Sequence, residues 1–201
     1  MKKVLVSQRV DYYPDRDEIR DALDQQLSLF LLECKLLPIP VPNLLIFGKE
    51  KRQALIRWMD AADAAGVVLS GGNDIDSCPE RDATERVLLE WAEREKLPLL
   101  GICRGMQMMG VAAGSHLISA EGHVRTTHQL KGEISGSANS YHNQILESLP
   151  SGYRVTALSE DESLEAIAHT KLPWEGWMWH PERESPFHQR DLERARILFG
   201  S

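Results

Sequence analysis

The chain has 201 residues, 42% hydrophobic and 26% charged, an ordinary balance for a soluble globular protein. One domain spanning residues 1–201 is long enough to bury a core without staples. A formal net charge of −7 argues against general affinity for nucleic acid or an anionic membrane, although a local basic pocket could still hold a phosphate. The three cysteines, Cys34, Cys78 and Cys103, are odd in number and lack framework spacing, which fits a reducing compartment. The N-terminus runs straight into a short apolar stretch without the features of a signal peptide. No segment reaches the roughly 18 apolar residues of a membrane span. The expectation is a cytoplasmic soluble protein.

Residues 4–7 read as a first strand. Between Asp17 and Lys35, Ile19, Leu23, Leu27, Phe30, Leu31 and Cys34 recur at three- and four-residue steps. That spacing predicts an amphipathic helix with Cys34 in the core. Residues 36–41 read as a second strand, near a sheet edge because Pro38 and Pro40 interrupt it. A helix over 51–62 and a strand over 66–70 follow. A long helix over 79–96 is predicted to turn Val87, Leu88, Trp91 and Ala92 inward. Residues 97–102 form a strand that delivers Cys103, with a helix over 105–113 behind it. Alternating strands and helices imply a parallel sheet covered on both faces, with ligands beyond the carboxyl ends of its strands. From about Leu117 to Ala168 the chain changes to short strands and turns, of which 153–158 is the clearest. A strand over 175–179 and a helix over 190–199 close the sequence. No internal repeat, low-complexity tract or linker is present.

Cys103 sits between Gly101 and Gly105, at the end of an apolar run and the start of a helix. This is the sequence form of a nucleophile elbow, in which a sharp strand-to-helix turn exposes the reactive atom. The glycines permit the turn, and the helix N-terminus behind it favours thiolate over thiol. Such a nucleophile needs a base and a group that orients the base. Of seven histidines, His180 stands out, because it ends the predicted strand and Glu182 follows two residues later. In an extended segment those two side chains share a side. The loop Leu69-Ser-Gly-Gly-Asn-Asp74 follows a strand and can offer the Gly72 amide to an oxyanion, with the Arg104 amide as second donor.

These motifs resemble the class I glutamine amidotransferase superfamily, including its gamma-glutamyl hydrolase branch. Gly101-Ile-Cys-Arg-Gly-Met-Gln107 is similar to its Gly-x-Cys-x-Gly-x-Gln signature. Leu69-Ser-Gly-Gly72 is similar to its oxyanion strand and loop, and Trp179-His-Pro-Glu182 to its His-Pro-Glu signature. The resemblance implies a flavodoxin-like α/β three-layer sandwich with a mainly parallel sheet. It implies Cys103 as nucleophile, His180 as general base then acid, and Glu182 as orienter. Gly71, Gly72, Asn73 and Arg104 fall at the oxyanion and substrate site, and Gln107 matches a residue that helps bind the gamma-glutamyl group.

Asn139-Ser-Tyr-His142 resembles the Asn-Ser-x-His segment of the hydrolase branch, which places Ser140, Tyr141 and His142 near the substrate. With Val6-Ser-Gln-Arg-Val10, Gly122-His123 and the run from Trp179 to Glu184, it resembles gamma-glutamyl-CDP-amidate hydrolases of surface-polysaccharide pathways. A diphosphate in the leaving group calls for cationic donors, and Arg9, His123, Arg125 and His128 are the candidates. Arg104 is ambiguous, since its side chain could point away while only its amide matters. Three readings stay open: gamma-glutamyl amide hydrolysis, a glutaminase subunit that feeds ammonia to a synthase, and a non-catalytic binding relative. The expected partner is a small gamma-glutamyl substrate, nucleotide-linked in the first reading, with no nucleic acid and no membrane. Oligomeric state stays open, a homodimer included. No cofactor is expected. No metal is expected either, because His123 and His128 are five residues apart with no clear third ligand.

Overall fold

The computed structural model describes residues 1–47, 50 and 52–201. Along the chain, β1 (Lys2–Val6) leads into a hairpin of β2 (Arg9–Tyr13) and β3 (Glu18–Ala22), then α1 (Gln25–Glu33) and β4 (Leu36–Pro40). There follow α2 (Arg52–Ala62), β5 (Val67–Leu69), α3 (Pro79–Glu95), β6 (Leu99–Ile102) and α4 (Arg104–Ala112). The second half holds β7 (Leu117–Ser119), β8 (Val124–Gly132), β9 (Gly136–Tyr141) and β10 (Gln144–Leu146). It ends with β11 (Tyr153–Leu158), β12 (Leu164–His169), β13 (Trp174–Trp177) and α5 (Gln189–Phe199).

Among the described residues, nine strands form one sheet in the order β4-β1-β5-β6-β13-β12-β11-β8-β9. The pairs from β4 to β13 are parallel, and those from β13 to β9 are antiparallel. The parallel half is the α/β layer expected from the alternating elements, with the proline-bearing β4 at its edge. Side chains alternate across it. Val4 and Val6 enter one apolar cluster with Leu27 and Phe30 of α1 and Ala195 and Phe199 of α5. Leu5 enters the other, with Leu55 of α2, Leu88 of α3 and Met106 of α4. Burial on both faces makes these strands apolar throughout, and each fully buried aliphatic side chain contributes about 1.5–3 kcal/mol. Cys34 is core, as its place on the helical stripe suggests, and burial pushes its thiol up to about 12. Among the described residues no helix is long and apolar enough to cross a membrane.

The structure corrects the helix expected over 17–35, which begins only at Gln25. Its first part is β3, paired antiparallel with β2. Pro14 opens a short 3-10 turn that Asp17 ends in the left-handed region, closing the hairpin. Asp24 then caps α1 by accepting from the Gln26 amide at 2.7 Å. Ile19 fits the helical spacing but is 64% exposed, so it never joins the apolar stripe. Lys51, the first residue of the second predicted helix, lies outside the described residues.

Candidate active site

Cys103 joins β6 to α4 at φ 50° and ψ −106°, a strained backbone for a residue with a Cβ. Its amide donates to the Trp177 carbonyl at 2.7 Å, and its own carbonyl accepts from Gln107 N at 3.1 Å. The flanking glycines let helix and sheet approach closely. A Cβ on Gly105 would lie 2.2 Å from the Leu69 carbonyl oxygen, and one on Gly101 2.5 Å from Met109 Sδ. Any side chain at either position would lift α4 off β5 and β6.

His180 lies just past β13. Its amide donates to Asn139 Oδ1 at 3.0 Å, and Asn139 Nδ2 donates back to its carbonyl at 2.8 Å. The ring Nδ1 sits 2.6 Å from Glu182 Oε1, with both residues buried. Glu182 reaches it from a 3-10 turn, Pro181–Arg183, rather than from the extended segment the sequence suggested. Burial alone would lower the imidazole, but Cys103 and Glu182 outweigh it and raise His180 to about 9. The Tyr141 ring stands edge-on to His180 at 5.9 Å, and the Arg183 guanidinium lies 4.4 Å over that ring. Arg9 and Arg183 line a cleft with Gly71, Gly72, His180 and Glu182.

The loop after β5 faces the same imidazole, and a Cβ on Gly71 would fall 2.5 Å from His180 Cε1. Arg81, wholly buried on α3, donates to the carbonyls of Ser70 at 2.7 Å and Gly71 at 2.9 Å. In a trans peptide N–H opposes C=O, so the Gly72 N–H points away from Arg81. Arg81 Nε also pairs with Glu85 Oε1 at 3.0 Å, and that oxygen accepts from Ser7 Oγ at 2.8 Å. Burial pushes the Glu85 carboxyl up, but Arg104 and Arg81 together hold it below its usual range. A cysteine sulfur, a buried imidazole paired with a carboxylate and a glycine loop beside them are parts that an acyl-transfer site requires.

The family model for class-I glutamine amidotransferase matches residues 15–197. The chain belongs to this family. It is 36% identical over 125 residues to the gamma-glutamyl-CDP-amidate hydrolase of Campylobacter jejuni, covering 59% of this chain and 62% of that protein. It is 33% identical over 142 residues to anthranilate synthase component 2 of Azospirillum brasilense, covering 64% of this chain and 70% of that one. A solved Thermoplasma acidophilum protein, provisionally assigned as a GMP synthase subunit, superposes with a TM-score of 0.73 at 20% identity. That superposition covers all of this chain and 94% of the other. The shared fold is the flavodoxin-like α/β arrangement.

Within this amidotransferase domain the expected site residues divide. Cys103, His180, Glu182, Gly71, Gly72, Tyr141 and Arg9 gather around the cleft, with Arg9 Nε held by Asp11 at 2.7 Å. The Arg104 side chain turns away into a buried ion-pair cluster with Glu85 and Asp82, which leaves only its amide for the cleft. The Asn73 side chain is occupied by the Val10 backbone, accepting at 2.8 Å and donating at 2.9 Å, so it staples two loops. Ser140 is buried and donates to the His123 carbonyl at 2.5 Å. Gln107 is buried one turn along α4, its Nε2 donating to the Gln144 carbonyl at 3.0 Å. His123, His128 and His142 are buried around Glu165 on β12, so none of them is presented to a phosphate in the cleft. Arg125 is exposed on β8. Sequence reading overlooked Asn139, Arg81 and Glu85. Asn139 was signalled by its place in the Asn-Ser-x-His segment. The only sign of the others was their four-residue spacing, which is common on solvated helix faces.

Proposed function

We propose that this amidotransferase domain hydrolyses gamma-glutamyl amides, with Cys103, His180 and Glu182 as its catalytic residues. The observation that carries the reading is the buried His180 ring, bound to Glu182 through Nδ1 and held protonated by Glu182 and Cys103 together. The Cys103 thiolate attacks the gamma-carbonyl carbon, and the amides of Gly72 and Arg104 receive the charge that develops on oxygen. His180 passes its proton to the leaving nitrogen as the C–N bond breaks, which leaves a glutamyl thioester on Cys103. A water then loses its proton to His180 and attacks the thioester, releasing glutamate and restoring the thiolate–imidazolium pair. Glu182 keeps the imidazole oriented in both halves of the cycle.

The preferred substrate is gamma-glutamyl-CDP-amidate, cleaved in the cytoplasm to glutamate and cytidine diphosphoramidate for surface-polysaccharide modification. Similarity to the Campylobacter hydrolase supports this choice, as do Arg9 and Arg183 on the cleft wall, where a diphosphate needs cationic forks. The second reading, a glutaminase subunit serving a partner synthase, draws on the similarity to anthranilate synthase component 2.

The test is glutamate release from glutamine, gamma-glutamyl peptides and gamma-glutamyl-CDP-amidate. The nucleotide reading expects the CDP-amidate to lead in kcat/KM by at least about tenfold, roughly 1.4 kcal/mol of transition-state binding. A smaller preference, with glutaminase activity rising many-fold when a synthase partner is added, would transfer the assignment to the second reading.

A further inference from the structure

Glu165, His123, His128 and His142 form a buried group that the proposed hydrolysis does not use. One ligating atom from each lies within 4.8 Å of all the others. Glu165 is wholly buried on β12, and neither of its carboxylate oxygens has a hydrogen-bond partner among the described residues. Facing its Oε1 are His123 Nδ1 at 3.7 Å, His128 Nε2 at 3.8 Å and His142 Nε2 at 3.5 Å. These three ring nitrogens are also buried and without a hydrogen-bond partner among the described residues. An unpaired carboxylate at this depth is costly, and a cation held among these groups would offset the cost.

Distance decides which kind. An N–H···O bond spans about 2.7–3.2 Å, shorter than all three separations. Two ligands on one tetrahedral zinc, each about 2.0–2.2 Å from the ion, stand roughly 3.3 Å apart. The three separations from Glu165 exceed that by only a few tenths of an ångström, and the wider ones, up to 4.8 Å across the group, would close further as the ring nitrogens converge on an ion. We propose that His123, His128, His142 and Glu165 bind one divalent cation of the zinc class, in a closed three-nitrogen, one-oxygen tetrahedron. Three imidazoles and one carboxylate are a donor set suited to zinc rather than to calcium or magnesium.

The outward nitrogens of the rings support the same reading. His123 Nε2 lies 2.9 Å from Asp161 Oδ2 and His142 Nδ1 lies 3.2 Å from the Gln144 carbonyl, both within hydrogen-bond reach, whereas His128 Nδ1 stands 3.6 Å from Glu160 Oε2, beyond it. Histidine ligands characteristically offer their second nitrogen to a carboxylate or carbonyl, which fixes the tautomer and aims the first at the metal. With four protein ligands no position is left for substrate, so the role is structural. The ion would tie β8 and the end of β9 to β12, next to the strand that leads to His180. The Glu165 carbonyl accepts from the Met178 amide at 2.8 Å, and His142 and Gln107 share the Gln144 carbonyl.

The experiment uses the full chain, produced without a polyhistidine tag, stripped with chelator and titrated with Zn²⁺ and with Co²⁺. The expected result is uptake of one equivalent, an intense tetrahedral Co²⁺ absorption band, and a higher Tm for the loaded protein. His128→Ala should lose the band and the Tm gain while the metal-free variant stays folded by circular dichroism. Failure of the stripped wild-type protein to take up either ion, or an octahedral Co²⁺ spectrum with no change in Tm, would overturn the proposal. Because the wild-type titration needs no substituted protein and no substrate, its outcome is independent of the hydrolase reading.

Discussion

The His180 imidazole carries two opposing influences, burial that disfavours its charge and two partners, Cys103 and Glu182, that favour it. The partners win, and the group rises from 6.5 to about 9. Because the folded value lies above the unfolded one, the stabilisation from the charged ring is complete below about pH 6.5 and is lost as pH rises through about 9. The proposed thiolate–imidazolium pair should show the same limit, so kcat/KM is expected to fall on the alkaline side near pH 9. Glu182→Gln removes one of the two partners. Its alkaline limb should move to lower pH and its kcat fall by roughly 100-fold or more, a larger relative effect than any loss of Tm. A pH–rate profile beside a thermal melt checks this, and an unmoved limb would remove Glu182 from the role of orienter. At this scale residue type was easier to read than side-chain direction. Chemistry demands a cysteine, a histidine and a carboxylate at defined places, so Cys103, His180 and Glu182 stood out. Nothing in Asn139-Ser-Tyr-His142 says which alternate residue faces the cleft. Tyr141 faces it, while Ser140 and His142 turn inward.

At the scale of elements, the site depends on α3 as much as on the elbow. Arg81 fixes the peptide planes of the Gly71 loop, and Glu85 joins Arg81, Arg104 and Ser7 into one buried network. Arg81→Met should therefore cost about 3–5 kcal/mol in unfolding free energy, since a buried charge loses its partner. It should also lower kcat, because the Gly72 amide is no longer aimed. Urea denaturation and steady-state kinetics on the same sample check both effects, and a stability change under about 1 kcal/mol would reduce the network to packing. This network was hidden in the sequence because charged residues on a long helix ordinarily face water. The β2–β3 hairpin was hidden for another reason. Ile19 and Leu23 satisfy a helical period by chance, and the turn at Pro14–Asp17 and the cap at Asp24 override it.

Across the whole molecule, the strands of the parallel run lead to Cys103, the Gly71–Gly72 loop and His180, the proposed nucleophile, oxyanion loop and base, and the antiparallel half braces the last of these. Asn139 on β9 clasps the backbone of His180, so the far edge of the sheet folds back onto the catalytic strand. The parallel half was legible, because strands buried on both faces read as short apolar runs between helices. The antiparallel half was not, since β8 and β9 are polar and largely exposed rather than apolar runs, and their ladder shifts register between Val124 and Thr126. The histidines around Glu165 looked unrelated because they come from separate parts of the chain. Two strands, β8 and β12, and the loop positions just before β8 and just after β9 gather them, and no local spacing announces it. The central claim is that this arrangement forms a glutamyl thioester on Cys103. Intact-protein mass spectrometry of rapidly quenched turnover tests it most directly. The expected result is a mass increase of one glutamyl group, located on the peptide that carries Cys103. Cys103→Ala should be folded, unmodified and inactive, whereas glutamate release by a folded Cys103→Ala protein would contradict the account.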